Sequence, residues 1–388
     1  MKITNTKVGI LGGGQLGKML ALAAHNWDVE TWAMDADISF PAGPVCTHFT
    51  VGDFNNFDDV YRFGKQVDVL TIEIEHVNAD ALLRLEAEGL TVHPSPAMLK
   101  VIKDKGLQKL FYQEHDLPTA PFKLYKSGAD IRAALESGDL QLPFVQKSRT
   151  SGYDGKGVAV LQSADDLHLL LPDASVVEDL VPIEKEIAVI AARNRNGEVA
   201  VFPPVEMAFN PVANLVEFLF CPASLHPETA KAAEELAIST VKKYGICGLL
   251  AVEMFLTPDG ELLINEVAPR PHNSGHHTID SCYTSQFEQH LRAIMNLPLG
   301  STKMKTPSVM VNLLGEPGHS GPVEYAGFEE CAALEGVKFH LYGKTVTKPY
   351  RKMGHVTILD PDLEKAKTQA RKVKDTLKVI SDGSFPPK

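Results

Sequence analysis

The residues best placed to do chemistry lie between Cys247 and His277, in the stretch CGLLAVEMFLTPDGELLINEVAPRPHNSGHH. Gly248 to Phe255 reads as a buried strand, Thr257-Pro258-Asp259-Gly260 as a turn, and Glu261 to Val267 as the returning strand. Two carboxylates interrupt these apolar runs, Glu253 in AVEMF and Glu266 in LINEV. A four-residue loop puts Glu253 opposite Ile264. Alternation then places Glu266 on the same face as Glu253, as a diagonal neighbour roughly 7–8 Å away. One glutamate at a strand end is ordinarily just solvated. Two converging in one hairpin repel unless a cation lies between them, and hard oxygen ligands suit Mg²⁺ that also holds substrate phosphates. Arg270, His272, Asn273, Ser274 and His276 follow at once.

A second group lies upstream, from Lys147 to Val158 in KSRTSGYDGKGV. Glycines at 152, 155 and 157 alternate with Tyr153, Asp154 and Lys156 between two apolar strands. The backbone N–H groups of such a loop, with Lys156, could fold over a polyphosphate. It is not a Walker A loop, because the GK[ST] ending is absent and a strand follows instead of a helix. Lys147 ends an apolar strand, where a buried ammonium needs an anion partner. An ordinary hairpin would explain the loop alone, but not the loop and the lysine together.

The N-terminal segment offers a third candidate. Lys7 to Leu11 is a short strand running into Gly12-Gly13-Gly14-Gln15-Leu16-Gly17 and then a helical run. That context suits a phosphate-cradling turn, and a second strand, Val29 to Met34, ends at Asp35, where a dinucleotide fold carries its ribose-binding acid. By itself this pattern suggests a nicotinamide oxidoreductase, although a glycine turn can also serve close strand–helix packing. A third strand, Val67 to Ile74, brings Glu73 to the end of the sheet where ligands of parallel α/β folds bind.

The elements that must position these groups fall into successive units. Residues 1–95 read as a doubly wound α/β domain, and one helix from Ala97 to about His115 links it to the rest. Lys100, Lys103, Lys105 and Lys109 on that helix read as a solvated basic face. From Phe122 to Glu178 the pattern is a four-stranded, mostly antiparallel sheet with two helices, and further strands with a helix at Pro227–Tyr244 precede the carboxylate hairpin.

A chain of 388 residues can bury more than one core. The net charge of −11 argues against nucleic acid or an anionic membrane as partner, so an anionic substrate would need a local basic site. Five cysteines without CxxC spacing suggest reduced thiols in a cytoplasmic setting. The N-terminus lacks a signal-peptide core, and no run approaches a membrane span.

Taken in order, GGGQLGKM at Gly12–Met19, Lys147 with GYDGKG at Gly152–Gly157, EDLV at Glu178–Val181, Glu186, the carboxylate hairpin, NEVAPRPHNSGH at Asn265–His276 and KPYRKMGHV at Lys348–Val356 resemble the ATP-grasp superfamily. Within it they resemble the purine-pathway ligases that join bicarbonate to aminoimidazole ribonucleotide at the expense of ATP. The resemblance covers nearly the whole chain. It implies an α/β fold, α+β in its central part: an N-terminal pre-ATP-grasp domain at 1–95, a linking helix at 96–117, a lid at 118–180, a core with the metal site at 181–300 and a small β-rich C-terminal domain at 301–388.

It also implies roles for particular residues. Lys105 and Lys147 would contact ATP, Gly152, Tyr153, Asp154, Gly155, Lys156, Gly157 and Val158 would cover its triphosphate, and Glu178, Asp179, Leu180 and Val181 would hold adenine. Glu186 would take the ribose, while Glu253 and Glu266, helped by Asn265, would ligate Mg²⁺. Arg270 would hold bicarbonate and the carboxyphosphate made from it, with Lys156 and His272 as further catalytic candidates. Gln15, Glu73, Tyr153, Asn273 and Ser274 would line the ribonucleotide site, and Lys348 and Arg351 would take its 5′-phosphate. A homodimer is implied, with a separate mutase receiving the product. The neighbouring alternative is a sister ligase such as a formate-dependent glycinamide ribonucleotide transformylase. Three departures stand out: Ala208-Phe209-Asn210 replaces a histidine-bearing turn, Lys105 replaces an arginine and loses its bidentate geometry, and Tyr350 replaces a glycine between Lys348 and Arg351.

Overall fold

The structure, a computed structural model, describes residues 3–150, 157–210 and 214–382, so Gly152, Tyr153, Asp154, Gly155 and Lys156 of the glycine loop lie outside it. The N-terminal unit is a parallel sheet in the order β3-β2-β1-β4-β5, made of β1 (Lys7–Leu11), β2 (Glu30–Asp35), β3 (His48–Val51), β4 (Val69–Ile72) and β5 (Thr91–Val92). Helices α1 (Gln15–His25), α2 (Phe57–Gly64) and α3 (Ala79–Ala87) cover it. β4 is buried along its whole length, the usual state of a parallel strand packed on both faces. Because β1 and β4 are neighbours, the glycine turn after Leu11 and Glu73 after Ile72 meet at one edge.

The expected single linking helix is two helices, α4 (Pro96–Lys103) and α5 (Lys105–Glu114). Asp104 separates them with extended backbone, accepts hydrogen bonds from the N–H groups of Gly106 and Leu107, and so starts α5 as its N-cap. Next comes an antiparallel sheet in the order β6-β9-β7-β8, from β6 (Phe122–Tyr125), β7 (Phe144–Ser148), β8 (Val158–Leu161) and β9 (Ser175–Asp179). It carries α6 (Gly128–Ser137), but the second expected helix is only a 3₁₀ turn, Ala164–Leu169, which ends where Leu170 leaves the helical region at φ −54° and ψ 125°.

The remainder builds one large sheet around β10 (Lys185–Arg193), β11 (Val199–Val201), β12 (Val205–Asn210), β13 (Leu215–Cys221), β14 (Gly248–Leu256), β15 (Leu262–Ala268) and β16 (Ser308–Leu314). Helix α7 (Pro227–Tyr244) buries Ala233, Ala237, Val241 and Tyr244 against Ile187, Val189 and Val252. The strands of the small β-rich C-terminal domain expected at 301–388 extend the same sheet, because β16 pairs with β13 and with the strand Lys352–Leu359. Short α8 (Thr278–Ser281) and α9 (Gln286–Ile294) follow the hairpin. Phe287, Leu291 and Ile294 of α9 share a core with Val8, Ile10 and Leu20, which holds the edge of the N-terminal sheet beside the carboxylate hairpin. No helix among the described residues is long and apolar enough to cross a membrane.

Candidate active site

The hairpin carries a β-bulge that sequence alternation did not anticipate. Met254 pairs with Ile264, but the register shifts at the next step and Glu253 pairs with Glu266, leaving Asn265 as the extra residue. The two glutamates are therefore direct cross-strand partners, not the diagonal pair expected from Glu253 opposite Ile264. The bulge also lets adjacent residues serve one cleft: Glu266 stands beside Glu253, while Asn265 Oδ1 accepts a hydrogen bond from Lys147 Nζ at 2.7 Å.

Their environments differ. Burial raises the Glu253 carboxyl above the usual range, and the neighbouring Glu266 and Glu186 charges raise it further. For Glu266 the same burial is outweighed by Lys105, which forms an ion pair with it, so its carboxyl is held low. The Glu266 side chain keeps 45% of its exposure toward the cleft against 16% for Glu253. His272 Nε2 lies 3.5 Å from Glu253 Oε1, and its Nδ1 is 2.9 Å from Ser274 Oγ. Ser274 is buried and thus supports His272 in place of facing a ligand.

A lysine network stands opposite. Lys147 lies 3.0 Å from Glu178 on β9, and Lys109 on α5 lies 3.1 Å from the other oxygen of the same carboxylate. Burial lowers the Lys109 ammonium to about 8, although Glu178 opposes that shift. Lys109 is only 3% exposed, which overturns its reading as part of a solvated face. Lys105 and Lys109 are one helical turn apart, the spacing that puts both on one side of α5. Glu178 is committed to the two lysines, so any part it has in holding adenine passes through them or through its backbone. Arg149, unremarked in the sequence, forms a two-pronged ion pair with Asp104 at 2.8 and 2.6 Å and fixes the start of α5.

The glycine turn is already filled. Gly14 and Gly17 donate their N–H groups to Glu73, and Gly13 donates to Asp35 at 2.7 Å. At Gly12, where φ is +112°, an added Cβ would meet Glu73 Cγ at 2.3 Å, so the glycine is required by this close approach. The turn presents a carboxylate to the cleft instead of free N–H groups to a phosphate, and the dinucleotide reading loses its cradle. Burial raises the Glu73 carboxyl despite these two hydrogen bonds.

One cleft of about 810 Å³ gathers the carboxylates Glu73, Glu253 and Glu266 and the cations Lys105, Arg270 and Lys352. Gln15, His272 and Asn273 line it as well. Arg270 Nε lies 2.9 Å from Glu75 Oε1, and Asn273 exchanges 2.9 Å hydrogen bonds with Asn312. Glu186 on β10 lies opposite Met207 and Phe255, and burial raises its carboxyl. Gly157 accepts a hydrogen bond from Ser148 N, and Val158 pairs with Lys147, at the lid side. Asp179 ends β9 and Leu180 is 37% exposed beyond it. Lys348 is exposed and Arg351 Nη1 donates to Val346 O at 2.6 Å, so neither lines this cleft, whereas Lys352 does. Lys352 was missed because it opens the buried strand Lys352–Leu359, where charge is not expected. At the departure around Phe209 the chain has a bulge, and Phe209 packs against the core that contains Met207 and Leu219.

Comparison with known proteins accounts for the layout from end to end. Three family models match in succession: a ribonucleotide synthetase preATP-grasp domain at residues 5–103, an ATP-grasp domain at 110–287 and a phosphoribosylaminoimidazole carboxylase C-terminal domain at 308–369. The N5-carboxyaminoimidazole ribonucleotide synthase of Bacillus subtilis is 36% identical over 91% of each chain. The chain belongs to the N5-carboxyaminoimidazole ribonucleotide synthase family. A family member from Thermotoga maritima superposes with a TM-score of 0.89 at 43% identity, over 97% of this chain and all of that one. The synthase of Aspergillus clavatus, solved in complex with ADP and 5-aminoimidazole ribonucleotide, superposes with a TM-score of 0.88 at 32% identity, over 96% of this chain and 98% of that one. The chloroplastic phosphoribosylaminoimidazole carboxylase of Vigna aconitifolia is 38% identical over 92% of this chain, which spans 64% of that longer protein.

Proposed function

We propose that this chain carboxylates 5-aminoimidazole ribonucleotide with bicarbonate and ATP, by way of carboxyphosphate, giving 5-(carboxyamino)imidazole ribonucleotide, ADP and phosphate. The observation that carries this reading is one cleft in which the paired carboxylates meet Lys105 of α5, with Glu73, Arg270 and Lys352 also in its walls.

Bicarbonate is a poor electrophile because hydroxide is a poor leaving group. Transfer of the γ-phosphoryl of ATP replaces hydroxide by phosphate as the leaving group, and the amino nitrogen of the ribonucleotide then takes the carboxyl carbon. Such transfer needs positioning and charge neutralisation more than covalent help from the protein. Lys147, held between Glu178 and Asn265, is fixed where a polyphosphate would enter. Arg270, anchored by Glu75, offers a guanidinium to bicarbonate and carboxyphosphate. Gln15, Glu73, Asn273 and Lys352 would hold the ribonucleotide, and Lys348 and Arg351, which precede Lys352 in the chain, would have to move toward the cleft to take its 5′-phosphate.

Mg²⁺ fits the residues present. Two adjoining carboxylates, one raised by burial and then by the other and one held low by a lysine ammonium, form an oxygen site that suits a cation. An ion of this kind commonly takes one or two carboxylates and completes its shell with phosphate oxygens and water. Glu253 and Glu266 would hold it, and when bound it neutralises charge on the transferred phosphoryl group. Four of the five cysteines are buried and all are free, which fits a reducing cytoplasm. We further assign a homodimer that hands its product to a separate mutase.

The deciding experiment is phosphate release from ATP in bicarbonate buffer with and without aminoimidazole ribonucleotide, run beside formate with glycinamide ribonucleotide. Stimulation by the first pair alone is expected. Turnover with the second pair alone would assign the sister ligase reaction.

A further inference from the structure

Gln286, the first residue of α9, is fully buried beneath the cleft and touches two of its histidine segments. Its Oε1 accepts the N–H of His272 at 2.9 Å, and its Nε2 donates to the C=O of the same residue at 2.8 Å. The second Nε2 contact is His276 Nδ1 at 3.0 Å. The orientation of the amide is not open to exchange. The backbone N–H of His272 can only donate, so the atom facing it must be the oxygen. The NH₂ group then faces His272 O and His276 Nδ1, and Nδ1 must supply a lone pair. His276 is therefore the neutral Nε2–H tautomer.

The surroundings agree with that assignment. Burial lowers the imidazole of His276 well below its usual range, and the nearby His272, His340, Lys352 and His277 lower it further. The ring stacks on His355 at 4.7 Å, with Phe287 and Tyr342 beside it. At Gly275, between the two histidines, an added Cβ would meet Ile190 Cδ1 at 2.3 Å and Gln286 Oε1 at 2.5 Å, so this turn packs closely on both the core and the amide.

We propose that Gln286 is a positioning residue, which clamps the main chain of His272 and locks His276 as a hydrogen-bond donor, so that His276 does not accept the proton released in the reaction. This rests on the reaction assigned above. With Nδ1 engaged and Nε2 already protonated, His276 has no basic nitrogen to offer. The proton leaving the ribonucleotide amine must go to another group, such as the phosphate released in the same step.

Long-range ¹H–¹⁵N spectra of the ¹⁵N-histidine-labelled full chain read the tautomer with no substrate present. His276, assigned by loss of its signals in His276→Gln, is expected to show an unprotonated Nδ1 that does not titrate between about pH 8 and 5.5. In Gln286→Glu the donor becomes an acceptor, and His276 should shift to Nδ1–H or to imidazolium. Gln286→Glu and Gln286→Met should both lower kcat for carboxylation roughly 100-fold through loss of alignment, while the KM for ATP stays within about twofold. A protonated Nδ1 in the wild-type protein overturns the proposal whatever the variants do. So does wild-type kcat in both variants. A wild-type protein with the expected tautomer but no turnover of aminoimidazole ribonucleotide would remove the reaction while supporting the lock.

Discussion

Glu253 and Glu266 face each other directly across the bulged hairpin, and their carboxyl groups are driven in opposite directions, Glu253 upward and Glu266 downward. The upward shift favours the protonated form of Glu253 in the metal-free protein. Mg²⁺ binds the carboxylate form, so loading with MgATP should release a proton, and affinity should weaken as pH falls. Calorimetry in two buffers of different ionisation enthalpy measures this. Equal heats in both buffers would mean that Glu253 is already ionised. Glu266→Gln should remove its share of the repulsion and so lower the Glu253 carboxyl, with burial and Glu186 still holding it above the ordinary carboxylate range. It should also cut ATP turnover by about 100-fold or more.

Lys109 offers a second test. Its ammonium and that of Lys147 share one buried carboxylate, Glu178. Lys109→Met keeps the apolar stem but leaves Glu178 with a single partner, and breaking a buried pair typically costs about 3 kcal/mol. Urea unfolding should show that loss, and the KM for ATP should rise more than that for the ribonucleotide. A variant as stable as wild type would show that Lys147 alone satisfies Glu178.

Lys109 also shows where sequence reading stops. The parallel N-terminal sheet, the glycine-loop hairpin and the carboxylate hairpin were legible because strand alternation and turn residues are local signals. The fate of a charged helix face is not local. Lys105 and Lys109 share a face, but only the packing of α5 against β9 buries it. Tyr112, one more step along that face, was the available clue, since a fully buried tyrosine argues against a solvated stripe. The bulge at Asn265 was invisible for a related reason: alternation fixes faces only while the register holds. Lys352 and Gln286 escaped because a charge opening a buried strand and a glutamine opening a helix look structural until their partners are known.

Stability should depend steeply on pH below neutrality. Burial lowers His93 and His277 to about 4 and His290 to about 3. Each stays neutral in the folded chain while the unfolded chain takes up a proton near pH 6.5. Stability from these groups is thus complete above that pH and lost as pH falls toward 4. Each site contributes about 1.4 kcal/mol per pH unit within its window, so the three together give a slope of about 4 kcal/mol per unit between roughly pH 6 and 4. His290 joins the two halves of the site, bonding Thr71 Oγ1 at 2.9 Å. Urea midpoints measured across this range should fall accordingly, and a flat profile would show that these histidines protonate within the fold.

Tyr350 sits at φ +62°, the left-handed region that costs a non-glycine residue roughly 1–2 kcal/mol. Three hydrogen bonds hold it there: Tyr350 N to Gly315 O at 2.8 Å, Gly315 N to Arg351 O at 2.9 Å and Arg351 N to Lys348 O at 3.0 Å. The turn holds Tyr350 in a conformation that glycine adopts freely, between Lys348 and Lys352. Tyr350→Gly should therefore lie within about 0.5 kcal/mol of wild type, because relief of strain offsets the greater freedom of the unfolded chain. Tyr350→Val, whose branched side chain tolerates this region least, should lose a further 1–2 kcal/mol, roughly. If Lys348 and Lys352 depend on this turn, Tyr350→Val should also raise the KM for the ribonucleotide while leaving that for ATP unchanged. Equal stability of the glycine and valine variants, read from urea midpoints, would show that the backbone here is not held left-handed.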